Sequence, residues 1–209
     1  DAGAVNLSTT YDCEDGRMTV GSHAIHDTSP YERLTVTEAI KKSSNICAYK
    51  MAKSLGRHRY YDYIQAFGFG EKTGIDLRGE RAGLVRPSDT WAEISFANIA
   101  FGQGLSATPL QMTTAMAAIA NGGLLLEPRV VDEIRSPRGE VVEQASTTVR
   151  RRVISESAAR RATTALATVT EKGGTGEKAA LESIQVAGKT GTAQKVNPRT
   201  GRYGDDLWM

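Results

Sequence analysis

The 209 residues are enough for one large domain or a piece of one, with 40% hydrophobic and 24% charged residues, an ordinary globular balance. A formal net charge of +2 gives no argument for nucleic acid or an anionic membrane surface as a partner. No apolar run is long enough to span a bilayer and no signal peptide opens the chain; Asp1 starts in a loop and Leu207-Trp208-Met209 stops inside a strand-like segment. Cys13 and Cys47 are too few for a disulfide framework or a metal knuckle, and read equally as two thiols or one bridge. His23, His26 and His58 fall in no HExxH or Cys/His spacing, so neither a metal nor a cofactor is expected.

In chain order, residues 1 to about 34 read as loop and short strand, with a hairpin around Asp15-Gly16. Thr35 or Thr37 can cap a short helix over EAIKK, and the chain then turns at Ser43-Ser44-Asn45. A second helix carries Ile46, Tyr49 or Lys50, and Leu55 and stops at Gly56; a third runs from about Arg57 to Phe67. Residues 68–108 are punctuated by glycine and should hold short strands and one short helix near Ser88 to Ser95. Thr108, Pro109 and Gln111 form a capping box with proline at N1, ahead of a Met112, Met116, Ile119 stripe that ends at Asn121-Gly122-Gly123. A hairpin follows around Pro137-Arg138-Gly139, then a helix capped by Ser155 with Ala162, Leu166 and Val169 inward, broken by Gly173-Gly174. Arg150-Arg151-Arg152 and Arg160-Arg161 flank that helix start and read as a solvated face. SIQVAGKTGTAQKV, residues 183–196, reads as a strand from the alternation over Ser183 to Gly188, and Asn197-Pro198 with Gly201 turn the chain into a partner strand.

Two tripeptides could carry chemistry. On a strand, Lys189 points to one side while Thr190 and Thr192 share the other, and Gly191 lets a ligand backbone lie flat. Two hydroxyls, free N–H groups and a nearby ammonium suit a carboxylate and a peptide carbonyl. At the turn between two helices, the Ser43 hydroxyl can relay a proton and the Asn45 amide can meet a substrate amide. Each alone is weak, because Ser and Asn are common caps and threonines are common on strands.

An SxN followed after a long helical insertion by KTG is the pairing of penicillin-recognising serine enzymes. LTVTEAIKKSSN, GFGEKTGIDLRGERAGL, FGQGLSATPLQM and VAGKTGTAQK all resemble class B penicillin-binding proteins, most of all the septal transpeptidase branch often called penicillin-binding protein 3. YDCEDGRMTVGSHAIHD also resembles that branch, and the likeness runs through the whole chain in order.

The resemblance implies an α/β (α+β) penicillin-binding transpeptidase, serine β-lactamase-like fold. It would be incomplete here: a helical subdomain over about 34–175 and a sheet portion over about 183–209, with the cleft between the KTG strand and the helices. Ser43 resembles the proton-relaying serine, Asn45 the amide clamp, and Lys189 the lysine that holds the serine hydroxyl. Thr190 and Thr192 resemble the carboxylate ligands, Gly191 lies between them, and the Thr192 N–H resembles half of the oxyanion hole. The implied partners are peptidoglycan stem peptides on lipid-linked precursor strands, β-lactams, and division proteins including a glycosyltransferase. The implied place is the periplasmic face of the inner membrane.

The departure from the family pattern is the nucleophile. No serine in the chain has a lysine three positions on, so SxxK is expected just upstream of Asp1 and the chain alone is expected to be inactive and poorly stable. Alternatives are a catalytically dead homologue or β-lactam sensor acting as a binding module, a serine β-lactamase, or an interaction domain with accidental motifs.

Overall fold

The computed structural model describes residues 1–196 and 203–208. They fall into two compact units. The first holds Asp1–Tyr60, Arg86–Leu105 and the described residues from Arg161 on; the second holds Tyr61–Val85 and Ser106–Arg160.

In the first unit, β1 (Thr10–Asp12) runs into a 3₁₀ turn at Glu14–Gly16, then β2 (Arg17–Val20) and β3 (His23–His26) form a hairpin that turns at Gly21-Ser22. The hairpin expected at Asp15-Gly16 is therefore one turn further on. Asp12 Oδ1 accepts the Glu14 N–H at 2.8 Å, an Asx turn that makes a corner between strands of different sheets. Only glycine suits position 16. Its φ is +79°, and a Cβ there would sit 2.7 Å from the Ser29 carbonyl oxygen. β1 pairs instead with β4 (Arg33–Thr35), antiparallel, with Tyr11 opposite Leu34.

Thr35 caps α1 (Val36–Lys42) through a full capping box. Its hydroxyl accepts the Glu38 N–H at 3.2 Å, and the Glu38 carboxylate accepts the Thr35 N–H at 2.8 Å. Ser43 ends α1, Ser44 caps α2 (Asn45–Leu55), and Gly56 closes α2. α3 (Arg57–Ala66) follows directly, its first turn in the first unit and the rest in the second. The open question over the cysteines resolves as a bridge: Cys13 and Cys47 are disulfide-linked and buried with Leu34 and Ala39. A second apolar centre forms around Phe96 on α4 (Glu93–Ala100). Tyr49 and Tyr60 meet its ring edge-on at 6.0 and 5.7 Å, and Trp91 stacks at 5.9 Å.

The short strands expected within 68–108 do not form; the described backbone there has one isolated bridge, Leu84 to Ser106. Side chains meet the backbone instead. Glu80 accepts the N–H and hydroxyl of Thr73 at 2.6 and 2.5 Å, closing a tight loop.

The second unit is built on α5 (Pro109–Ala120), β5 (Leu124–Leu126), the β6 (Glu133–Arg135)–β7 (Val141–Gln144) hairpin, β8 (Val149–Arg152) and the start of α6 (Glu156–Ala167). β5 and β8 pair antiparallel, and Ala118, Leu125, Ile154 and Ala159 pack as the core. The Thr108–Gln111 capping box forms, but the inward stripe of α5 is not the methionines. Met112 is 51% exposed, while Gln111, Ala115 and Ala118 are buried. The reason is polar. Gln111 Nε2 donates to the carbonyls of Glu71 and Ala82, both at 2.8 Å, in a loop with no ladder to satisfy them. The arginine run is also not a solvated face. Arg151 donates to the Ala66 and Gln65 carbonyls at 2.8 and 2.9 Å, tying down the end of α3, and pairs with Glu71. Ser155 does cap α6, accepting the Ala158 N–H at 3.2 Å; Ala165 and Val169 are buried, whereas Ala162 and Leu166 are only half-buried.

β9 (Ala193–Val196) and β10 (Tyr203–Trp208) pair antiparallel. Of the strand expected over 183–196, Ala193–Val196 forms and pairs with β10, the expected partner, while residues 183–192 form no ladder among the described residues. The turn expected at Asn197-Pro198 and Gly201 lies outside the described residues.

Candidate active site

The αα corner between α1 and α2 leaves no room for a linker, so Ser43 takes a left-handed conformation, φ 57° and ψ 44°, as the cap of α1. For a residue with a Cβ this costs on the order of 1–2 kcal/mol. The strain is held by the next two residues. The Ser44 hydroxyl accepts the Cys47 N–H at 3.0 Å and donates to Asp27 Oδ2 at 2.6 Å. The Asn45 and Ile46 N–H groups both donate to Asp27 Oδ1, at 2.6 and 3.1 Å. Asn45 Nδ2 donates to the His26 carbonyl at 2.8 Å, which fixes the orientation of its amide.

The segment before KTG is fastened to the end of α6. Thr170 donates its hydroxyl proton to the Val186 carbonyl at 2.7 Å, and the Gly188 N–H donates to the Leu166 carbonyl at 3.2 Å. From there Lys189 reaches across 146 residues of sequence to donate to the Ser43 hydroxyl at 2.7 Å. Its ammonium also donates to the Thr190 carbonyl at 3.1 Å and the Thr190 hydroxyl at 3.3 Å. The tip of the lysine thus bends toward Thr190, and the two do not stay on separate sides. Burial holds the Lys189 ammonium below the usual lysine pKa.

A third hydroxyl joins this group. Thr175 and Thr190 are in hydrogen-bond contact, Oγ1 to Oγ1, at 2.9 Å. Thr175 is placed from the SxN side: its N–H donates to the Lys41 carbonyl at 3.2 Å, and Lys42 donates to the Gly173 carbonyl at 2.8 Å. Gly174 has no space for a side chain, since a Cβ would fall 2.1 Å from the Val169 carbonyl oxygen. In the sequence, Gly173-Gly174 reads only as a helix breaker. The threonine after it was the available signal. Asp27 was also missed, because an aspartate in a polar loop has no distinguishing mark.

Ser43, Lys189 and Thr190 are therefore one cluster, with Asn45 beside it on the same turn. Gly191 has open space where a Cβ would be, and Thr192 is exposed with no hydrogen bond to the cluster. Chemically, an ammonium in contact with two hydroxyls, one of which meets a third, suits an anion. A serine oxygen that accepts from a lysine must send its own proton elsewhere, which suits it to passing protons. Among the described residues no group of His, Cys, Asp or Glu could hold a metal ion.

The model of the penicillin binding protein transpeptidase domain matches residues 1–209. The chain belongs to this family. Penicillin-binding protein PbpB of Mycobacterium tuberculosis is 40% identical over 199 residues, covering 92% of this chain and 29% of the relative. Peptidoglycan D,D-transpeptidase FtsI of Escherichia coli is 36% identical over 185 residues, covering 88% and 29%. The crystal structure of penicillin binding protein 3 from M. tuberculosis complexed with ampicillin superposes with a TM-score of 0.83 at 37% identity, over 96% of this chain and 45% of that one. The transpeptidase domain of Burkholderia pseudomallei penicillin-binding protein 3 gives 0.84 at 30% identity, over 97% and 58%. The fold is accordingly the mixed α/β penicillin-binding transpeptidase fold, and the resemblance drawn from the motifs holds at the level of the family. The chain spans about 30% of the length of these curated relatives.

Proposed function

We propose that this chain supplies the substrate-gripping and proton-relaying wall of a serine-type peptidoglycan D,D-transpeptidase of the septal branch. The observation that carries the reading is the 2.7 Å contact from the Lys189 ammonium to the Ser43 hydroxyl, which joins SxN to KTG. In this reading a serine of the SxxK motif, elsewhere in the protein, attacks the carbonyl of a terminal D-Ala-D-Ala bond. The C–N bond breaks, and Ser43 passes the serine's proton to the departing D-Ala amine. An amine from a neighbouring strand then takes the acyl group and returns the proton. Asn45 grips the side-chain amide of the acyl donor. Thr190 and Thr192 take the carboxylate, with Thr175 completing that hydroxyl set, and Gly191 leaves room for the donor's backbone. The Thr192 N–H gives one oxyanion donor, worth roughly 3–4 kcal/mol to the transition state.

The same reading makes β-lactams substrates that acylate the serine, supported by the relative solved with ampicillin. It places the domain at the periplasmic face of the inner membrane with division proteins and a glycosyltransferase as partners, and it divides the chain into a helical part over about 34–175 and a sheet part over about 183–209.

The test is covalent labelling of the complete protein by a fluorescent penicillin. Labelling is expected, with Ser43→Ala and Lys189→Ala slowing it on the order of 10²–10⁴-fold. The 209-residue chain alone, without an SxxK serine, is expected to take no label. A complete protein that binds the drug without a covalent bond would overturn the enzyme reading in favour of a binding module.

A further inference from the structure

We propose that Asp27 is the positioning residue of the SxN turn, acting through Ser44 and Asn45 and touching no substrate itself. This rests on the reading above. Its carboxylate gathers the whole start of α2: the Ser44 hydroxyl at 2.6 Å, the Asn45 N–H at 2.6 Å and the Ile46 N–H at 3.1 Å. The residue before it, His26, accepts from the Asn45 side chain at 2.8 Å. Residues 26 and 27 thus fix both the backbone and the amide of Asn45.

The carboxylate is itself held. The Asp27 N–H donates to the Gly16 carbonyl at 3.0 Å, and Gly16 is locked by the close approach of Ser29. The hairpin of β2 and β3 ends where Asp27 begins, so a rigid element aims it. A carboxylate suits this place for two reasons. It is acceptor-only, so it takes two N–H groups on one oxygen and an O–H on the other. It also places negative charge at the start of α2, where the helix dipole favours it. The Ser44 hydroxyl then has its proton committed to Asp27 and its lone pair to Cys47, which leaves one orientation for the strained corner at Ser43. Ser43 and Asn45, the residues assigned to the reaction, flank Ser44. Their placement is therefore set by an acid that lies 16 residues before Ser43 in the sequence.

The experiment compares Asp27→Asn and Asp27→Ala in the complete protein. Acylation by a fluorescent penicillin is resolved into the dissociation constant of the non-covalent complex and the first-order acylation rate. Hydrogen exchange at Asn45, Ile46 and Cys47 and the melting temperature are followed alongside. Asp27→Ala is expected to slow the acylation rate roughly ten- to a hundredfold and to speed exchange at those three amides, with melting shifted much less than the rate. Asp27→Asn has one acceptor oxygen; kept on the two N–H groups, it leaves the amide NH2, a donor, where the Ser44 hydroxyl now donates, so this variant should fall between. A wild-type rate in Asp27→Ala overturns the proposal, as does a loss that merely follows the folded fraction. Should the wild-type protein take no label, the transpeptidase reading fails, and exchange decides for Asp27: unchanged protection at 45–47 in Asp27→Ala overturns its role.

Discussion

The Cys13–Cys47 bridge closes a stretch with a sequence separation of 34 that contains the β2–β3 hairpin, Asp27, α1 and Ser43. Replacing both cysteines by alanine opens that loop in the unfolded chain. For a loop of this length the chain-entropy treatment gives about 4 kcal/mol at 25 °C. Against a total stability of roughly 5–15 kcal/mol for a domain, that is a large fraction. Both cysteines are fully buried, so some packing is lost as well. Urea unfolding followed by far-UV circular dichroism measures the change. The double variant is expected to unfold at a clearly lower midpoint with a slightly steeper dependence on urea, since its unfolded chain exposes more surface. The effect should also be local. Cys47 donates its N–H to Ser44, so exchange at residues 43–47 should rise before that of α5 or β5, which belong to the other unit. An unchanged midpoint, together with thiols that titrate freely in the untreated wild-type protein, would refute the reasoning.

Thr35→Ala removes the capping box of α1 and should cost about 1 kcal/mol, read as a drop in melting temperature. The same contact predicts a pH dependence. The Thr35 backbone N–H, then its hydroxyl, hold the Glu38 carboxyl below the ordinary carboxylate range. A depressed folded pKa stabilises above the unfolded value, and that contribution is lost as pH falls through the folded one. Glu38→Gln should therefore lose less stability than wild type between pH 7 and pH 3; an equal loss would count against the capping box. Gly174→Ala must push the 171–175 loop away from Val169, at roughly 1–3 kcal/mol by melting. It should also raise the dissociation constant for a penicillin through Thr175 while leaving Asn45 exchange unchanged; wild-type binding would show that Thr175 plays no part in the carboxylate site.

The helix ends were legible because their causes are local. Thr35, one of two cap candidates with Thr37, the Thr108–Gln111 box, and Gly56 each satisfy orphan backbone groups within three or four residues in the structure; that Glu38 completes the box at Thr35 is a finding of the structure, not of the sequence. The inward faces were less legible. Periodicity assumes that a helix buries its largest apolar side chains, and it selected Met112 and Met116 where the structure buries Gln111 and two alanines. The loop carbonyls that Gln111 serves come from residues 68–82, and their need for a donor cannot be seen from the α5 sequence. Arg150 and Arg151 differ from the solvated face expected of them for the same reason: their partners are carbonyls and a glutamate some eighty residues away.

The site shows the limit in its sharpest form. Ser43, Asn45 and Lys189 could be picked out because their types and order match a known pairing, but spacing alone does not bring residue 43 to residue 189. What brings them together is a set of backbone contacts: Thr175 to Lys41, Lys42 to Gly173, and Gly188 to Leu166. Each of these ends on a backbone carbonyl, a group that every residue carries and that sequence therefore does not mark. Side chains that bind substrate can be read by their chemistry. Those that aim them, such as Asp27, bind mainly backbone and are visible only once the fold has placed an N–H in front of them.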